Sequence, residues 1–429
     1  MDDAARVREK IDIVSLISEY IPLKKMGRNF TTNCPFHTEK SPSFVVSPER
    51  QIWHCFGCGK GGDVFTFLME YENLDFIEAL RILAKKTGIV LKENYSNLQS
   101  SQKDKFYKLN KIAQEFYNYV LLNHSAGKKA LQYLLEKRKL NKGLIENFGL
   151  GFSPSGGTAL SDYLISKKKY KKEDLIAAGL SFQRGNRVID FFRGRIMFPL
   201  TDIRGNVVGF SGRITEQNTD GPKYINTKET LIYHKGRMFF GFDKAKEEIK
   251  ERGFVIIMEG EFDVISSFKE GIKNSIAIKG TALTEEQATI LSRVTEKVML
   301  CLDRDLAGLE ATKRSLAVLE KKGILSNVVV IDGGKDPDEI LNNDPVSFKK
   351  SVDSSVSAYE FLIKEISKRY NKDSADGKRK ITNEILPLIF LVENEIVKEH
   401  YLKKLSQEID TSIESLSRQF GKLDKEDSS

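Results

Sequence analysis

Four side chains in the first sixty residues have the types and spacing of a metal centre. Cys34-Pro-Phe-His37 and Cys55-Phe-Gly-Cys58 are two short knuckles, and paired knuckles of this kind bring four ligands around one tetrahedral zinc ion. With every corner filled by protein no coordination position stays open, so a single structural zinc is expected. Phe30, Phe44, Trp53 and Phe56 surround the knuckles, with Arg28, Lys40, Arg50 and Lys60 interleaved. Such rings either fill the core of a small domain or stack single-stranded bases.

A second constellation is acidic: Glu259, Asp263, Asp303, Asp305, Asp336 and Asp338. Six carboxylates brought together repel one another unless cations sit among them, and hard oxygen donors suit Mg²⁺ or Mn²⁺. No nucleophilic triad competes with this reading. His124, His234 and His400 are scattered, and Cys301 lies inside an apolar run.

The elements that must position these acids are legible as apolar runs. Phe254 to Met258 leads into Glu259, Val298 to Leu302 into Asp303-Arg304-Asp305, and Val328 to Ile331 into the segment holding Asp336 and Asp338. Unbroken apolar runs of this length read as strands buried on both faces of a parallel sheet, whose carboxyl ends are where ligands bind. Alternate residues of a strand face one way, so Asp303 and Asp305 converge while Arg304 points elsewhere. Ala307 to Lys322, closed by Gly323, reads as a helix between strands. Lys279 to Thr284 is a glycine turn opening another helix and offers an anion its free N–H groups.

Upstream of the acids lie short glycine-punctuated segments rich in cations. Arg193, Arg195, Arg213, Lys223 and Lys235 would form a face for a phosphate chain. The run Lys167 to Lys172 reads as a solvated helix end. The whole chain of 429 residues carries a formal charge of +8, and a basic face beside a metal site points to a polyanionic partner, nucleic acid first. Neither a signal peptide nor an apolar run long enough to span a bilayer is present, which suggests a cytoplasmic protein without a membrane partner. Three of the four cysteines belong to the zinc cluster, against a disulfide framework.

The expected organisation is multidomain, α/β and α+β: a zinc-binding domain over 1–95, a flexible linker over 96–104, a mixed α/β basic subdomain over 105–242, a parallel-sheet subdomain over 243–345 and a helical segment over 346–429. Within the first, a helix is expected over residues 2 to 20, and a later one stops at Gly88.

Taken in order, the two knuckles, Arg195-Ile-Met-Phe-Pro199, Pro222-Lys-Tyr-Ile-Asn226, Glu259-Gly-x-x-Asp263 and Asp303-x-Asp305 resemble the bacterial replicative DNA primases. The resemblance implies a TOPRIM fold for the carboxylate region and the synthesis of short RNA primers on single-stranded DNA from ribonucleoside triphosphates. It implies Cys34, His37, Cys55 and Cys58 as zinc ligands, and Glu259, Asp303 and Asp305 as the main acids for two or more Mg²⁺ or Mn²⁺ ions. Asp263, Asp336 and Asp338 would be secondary acids. Lys223, Tyr224, Asn226 and Lys235 would contact incoming nucleotides, and Arg193, Arg195 and Arg213 the template. Two departures stand out: Arg304 replaces the glycine usual between the paired aspartates, and a helicase-docking domain is expected to be absent or much reduced. The chain is expected to be a monomer or to self-associate weakly, working at replication forks in the nucleoid. A TOPRIM nuclease or strand-passing enzyme, and a non-catalytic zinc-ribbon DNA-binding protein, are the alternative readings.

Overall fold

The computed structural model describes residues 3–37, 39, 41–72, 74–91, 98–215, 221–280, 282–303, 305–331 and 336–419. Lys40, Arg304, Thr281 and the first part of the expected linker, residues 96 and 97, lie outside them. The chain forms two compact units, Met1–Lys105 and Phe106–Ser429. The helix Leu98–Asn123 begins inside the expected linker, so residues from 98 onward are helical and not an irregular tether.

In the first unit the amino-terminal apolar stripe divides between two helices, Asp3–Lys10 and Ile13–Ser18, and not one. The break is at Asp12, whose carboxylate accepts the Ser15 N–H at 2.8 Å and caps the second helix. An antiparallel sheet follows in chain order: β1 (Lys24–Met26), β2 (Asn29–Thr32), β3 (Phe44–Ser47), β4 (Ile52–Cys55) and β5 (Gly61–Gly62). Alternation puts Phe44 and Val46 of β3 inward, opposite Cys55 and Trp53 of β4. Phe44 and Trp53 stack with centroids 5.0 Å apart and are fully enclosed, which makes them core and not base-stacking rings. Phe30 is half-buried against the same core, whereas Phe56 stands 74% exposed. Asp63 caps the helix Val64–Glu72, and the helix Phe76–Thr87 ends at Gly88, whose φ of 68° is the left-handed conformation a glycine cap supplies.

The second unit holds two main sheets over one continuous core. The first contains β6 (Gly151–Ser153), β9 (Arg195–Thr201), β10 (Val207–Ile214) and β11 (Tyr224–Asn226) in the order β11-β10-β9-β6, all antiparallel. A hairpin of β7 (Ser181–Arg184) and β8 (Arg187–Asp190) stands beside it in sequence. The second sheet runs β12-β14-β13-β15-β16-β17, from β12 (Phe239–Phe240), β13 (Val255–Met258), β14 (Ser275–Ile278), β15 (Lys297–Leu300), β16 (Leu325–Val328) and β17 (Val356–Ser357). Its four central strands are parallel and its two edges antiparallel. Sequence reading recovers β13 and β15 and omits β14, whose apolar run is only Ile276 to Ile278 between Ser275 and Lys279. It also sets the third strand too late: β16 covers Leu325–Val328, and the Val329 N–H continues the ladder to the Leu300 carbonyl at 2.9 Å.

Ahead of β8 the chain carries a repeat that the motif reading passes over. Tyr133-Leu134-x-x-Lys137 recurs thirty positions on as Tyr163-Leu164-x-x-Lys167, and Gly149-Leu150-x-Phe152 as Gly179-Leu180-x-Phe182. Each copy makes a π-helical turn (Tyr133–Lys137, Tyr163–Lys167), a residue with positive φ (Lys139, 52°; Lys169, 61°), a short helix (Lys142–Asn147, Lys172–Ala177) and a strand. The Lys167 to Lys172 run is thus the solvent-facing turn of the second copy, exposed as expected of a solvated helix end.

Three helices, Ala358–Arg369, Ala375–Phe390 and Glu395–Glu408, follow β17, and a further helical stretch over 413–419 ends the described chain. Lys313, on the helix Leu306–Glu320, pairs with Glu310 at 2.9 Å and also with Glu384, whose carboxylate takes the Tyr370 hydroxyl and Arg369 as well. No helix among the described residues is long and apolar enough to cross a membrane.

Candidate active site and metal centres

The zinc knuckles close as the spacing predicts. The ligand atoms of Cys34, His37, Cys55 and Cys58 all lie within 4.8 Å of one another. Cys34 Sγ is 3.9 Å from Cys58 Sγ, and Cys55 Sγ is 3.8 Å from His37 Nδ1. A tetrahedron with Zn–S bonds of about 2.3 Å has S···S edges of about 3.8 Å. The pocket therefore has the size of one zinc ion, and three thiols with an imidazole are the donors zinc prefers. Burial and the neighbouring Cys55 and Cys58 push the Cys34 thiol up to about 12, a balance that a divalent cation reverses by sharing the thiolate charge. Sequence reading misses Glu39. Its carboxylate lies 3.2 Å from His37 Nε2 and accepts the N–H groups of Cys34 at 2.6 Å and Ser43 at 2.9 Å. The imidazole is held with Nδ1 toward the sulfurs, as the partner behind a metal-ligating histidine does. Burial opposes the Glu39 charge, but its bonds from Ser43 and Cys34 outweigh it and hold the carboxyl below the usual range.

The acidic constellation divides in two. Glu259, Asp303, Asp305 and Asp336 are exposed, and all follow or cap elements of the parallel sheet's carboxyl edge. Glu259, just past β13, accepts the Asp303 N–H at 3.0 Å and so ties the ends of β13 and β15 together. Asp305 caps the helix Leu306–Glu320 by accepting the Gly308 N–H at 2.8 Å. A side chain at Gly308 would meet the Asp303 carbonyl at 1.9 Å, so this tight turn requires glycine. Asp336 caps the helix Pro337–Asn343 in the same way, through Glu339. Partial burial and the surrounding acids raise the Glu259 and Asp303 carboxyls, Asp303 through Asp336 and Asp305, with Lys223 pulling the other way. Mutual repulsion among exposed oxygen donors is the electrostatic signature of a site that takes hard divalent cations.

The other two acids are enclosed. Asp263 is 8% exposed and accepts the N–H groups of Gly260 at 2.9 Å and Asp338 at 3.1 Å. Burial, then Asp338 and Asp336, push its carboxyl well above the ordinary range. Asp338 is 7% exposed; Arg138 Nη1 occupies its Oδ2, and the Ser266 hydroxyl and Asn342 Nδ2 occupy its Oδ1. The expectation of Asp338 as a secondary metal ligand meets this competition: both of its carboxylate oxygens already accept bonds from neighbouring side chains.

On the basic side, Arg193, Lys223 and Lys235 are exposed and Arg213 is half-buried. The Arg213 guanidinium lies 5.2 Å from the Tyr133 ring centre, 5.3 Å from that of Phe262 and 5.9 Å from that of Tyr224. Asn226, half-buried, has an enclosed Oδ1 with no hydrogen-bond partner among the described residues. Arg195 departs from expectation. It is 7% exposed, and its guanidinium donates to the carbonyls of Gly212 at 3.0 Å, Pro222 at 3.0 Å and Lys223 at 3.3 Å. All of this holds it against backbone, so Arg195 braces the Pro222-Lys223 segment that leads into β11. Lys279, expected at an anion-binding turn, is buried against Glu261, where burial opposes the Glu261 charge and Lys279 overcomes it. Neither Glu261 nor Arg138 stood out in sequence, because a single acid or base beside richer motifs carries no periodic signal.

The arrangement matches known proteins throughout its length. Residues 2–99 match the model for the CHC2 zinc finger, 116–246 that for the DNA primase catalytic core, N-terminal domain, and 256–341 a Toprim-like model. Residues 359–414 match the DnaB-helicase binding domain of primase, which overturns the expectation that a helicase-docking domain is missing or reduced. The chain is 37% identical to the DNA primase of Listeria monocytogenes, over 96% of this chain and 68% of that one. It is 34% identical to the DNA primase of Borreliella burgdorferi, over 99% and 82%. Its fold is similar to that of the Aquifex aeolicus primase zinc-binding and RNA polymerase domains, with a TM-score of 0.63 and 33% identity over 97% of this chain and 99% of that one. A DnaG primase catalytic domain bound to single-stranded DNA is also similar, with a TM-score of 0.63 and 29% identity over 74% and 99%. With the zinc knuckles, the Toprim acids and these relatives agreeing along the whole length, the chain belongs to the DNA primase family.

Proposed function

We propose that this chain makes RNA primers on single-stranded DNA by nucleotidyl transfer at the edge formed by Glu259, Asp303 and Asp305, with Asp336 in support. The observation that carries the proposal is the set of exposed, mutually repelling carboxylates at the ends of β13 and β15, with the Lys223 ammonium close enough to act on Asp303. Mg²⁺ or Mn²⁺ held by these oxygens would lower the pKa of a primer 3′-hydroxyl and neutralise charge on the phosphorus under attack. Glu259 keeps Asp303 in place through its backbone N–H, so the acids of two strands present one surface. Lys223 and Lys235, both exposed, neutralise triphosphate oxygens of the incoming nucleotide, while Tyr224 and Asn226 line the approach from β11. Arg193 and Arg213 take template phosphates. Arg195 keeps the Pro222-Lys223 backbone where the lysine can work.

The zinc module, with one structural zinc, contributes its exposed Phe56 and neighbouring cations to the template, and residues 105–242 and 243–345 act as the polymerase core. The helices from Ala358–Arg369 onward provide the surface for a replicative helicase, and the protein works in the cytoplasm at the fork. Incubation with single-stranded DNA, Mg²⁺ and labelled ribonucleotides tests the reading. Short oligoribonucleotides are expected; cut DNA, or binding without synthesis, would sink it.

A further inference from the structure

Arg138 and Asp338 are two hundred residues apart and meet at the edge of the acid cluster. The guanidinium is fixed from three sides. Its Nη1 pairs with Asp338, its Nε donates to the Tyr133 hydroxyl at 2.7 Å, and its plane lies 4.2 Å from the Phe262 ring centre. Both oxygens of Asp338 are thereby occupied, and its own N–H reaches Asp263 at 3.1 Å. The repeat within the chain provides an internal comparison. In the second copy the same π-turn carries Lys168, which lies 5.7 Å from the Tyr163 ring centre, is exposed and has no acidic partner among the described residues. The turn therefore forms without an anionic partner, and the contact with Asp338 is something the first copy adds.

We propose that Arg138 and Asp338 form a latch that joins the primase-core segment to the Toprim-like segment, with Asp338 an anchor and not a metal ligand. Arg138 is a positioning residue in this account. By holding Asp338 it sets the start of the helix Pro337–Asn343, which Asp336 caps, and through the Asp338 N–H it ties that start to Asp263 in the first turn of the helix Glu261–Lys269. The latch also keeps the charge of a buried carboxylate out of the metal cluster. This rests on the reading of Glu259, Asp303 and Asp305 as the metal acids, and the test keeps the two apart.

The experiment uses the full chain, Mn²⁺ alone as the probe with free ion counted by electron paramagnetic resonance, thermal melting, and single-stranded DNA binding. The variants are Asp338→Asn, Arg138→Met, the double variant, Arg138→Lys in case Arg138→Met does not fold, and Asp303→Asn as the reference for a lost ligand. Asp303→Asn should weaken Mn²⁺ binding by about tenfold or more. Each latch single variant should lower the melting temperature by about 5 °C, because a buried charge loses its partner. The double variant should melt no lower than the worse single one and bind Mn²⁺ within about threefold of the parent, since a matched pair leaves no charge behind. If the double variant stays as weak for Mn²⁺ as Asp303→Asn, Asp338 is a ligand and the latch is wrong. If Arg138→Met instead weakens DNA binding tenfold and reduces the salt slope by about 0.7, the arginine contacts a phosphate and the latch is equally wrong. Should Asp303→Asn bind Mn²⁺ normally, the metal assignment is what fails; the melting arm still stands, and additive losses there would overturn the latch by themselves.

Discussion

Glu261 and Lys279 make the most enclosed ion pair of the Toprim-like segment, with side chains 3% and 5% exposed. Replacing Glu261 by Gln keeps the volume and removes the charge, which leaves the Lys279 ammonium in a dry site without a counterion. Removing one partner of such a pair costs about 3–5 kcal/mol. The second unit spans residues 106–429, and at roughly 2.1 cal/mol/K of unfolding entropy per residue that loss lowers its melting temperature by about 4–7 °C. Glu261→Leu with Lys279→Met removes both charges and should recover most of the loss, because well-packed apolar residues replace a buried pair at little cost. Scanning calorimetry of the parent, Glu261→Gln, Glu261→Leu, Lys279→Met and the double variant gives the coupling directly. A melting point within 1 °C of the parent for Glu261→Gln, or strictly additive losses in the double variant, would refute the claim that the pair is desolvated and mutually dependent. The position matters for function because Glu261 sits between Glu259 and Asp263, so a collapse here shifts the turn that presents the first metal acid.

Other outcomes follow from the same geometry. Asp303→Ala should abolish primer synthesis while single-stranded DNA is still bound, measured by product gels beside fluorescence anisotropy; this is a cleaner test than Asp305→Ala, which also removes a helix cap and about 1 kcal/mol with it. Cys55→Ala, or a strong chelator, should release the zinc and unfold residues 30 to 62, and retention of one zinc per chain by atomic absorption would exclude this ligand set. Glu384 gives a pH signature: burial opposes its charge, but Lys313 and Tyr370 hold its carboxyl below the ordinary value. A depressed acid stabilises fully above its unfolded value of about 4.3 and loses that contribution as pH falls through the folded value. The acid-side loss of stability should therefore be shallower in Glu384→Gln, followed by circular dichroism between pH 6 and pH 3.

Local sequence was sufficient wherever the chemistry is carried by neighbours in the chain. The zinc knuckles are tight turns a few residues long, so Cys34, His37, Cys55 and Cys58 could be paired before any fold was known. The acids at the ends of β13 and β15 were legible because a strand buried on both faces must be apolar throughout, and the first charge marks its edge. Only the tertiary structure could decide which charges are spent on other charges. Arg195 reads as a template cation until burial and three backbone carbonyl partners hold its guanidinium. Asp338 reads as a sixth metal acid until Arg138 arrives from two hundred residues away. Glu39 and Glu261 carry no pattern of their own, since a hydrogen bond or ion pair across the fold leaves no period in the sequence. Charge and its position along the chain were written in the residues; whether each charge is free to meet metal, nucleotide or DNA depends on desolvation and pairing, which exist only once the chain has packed.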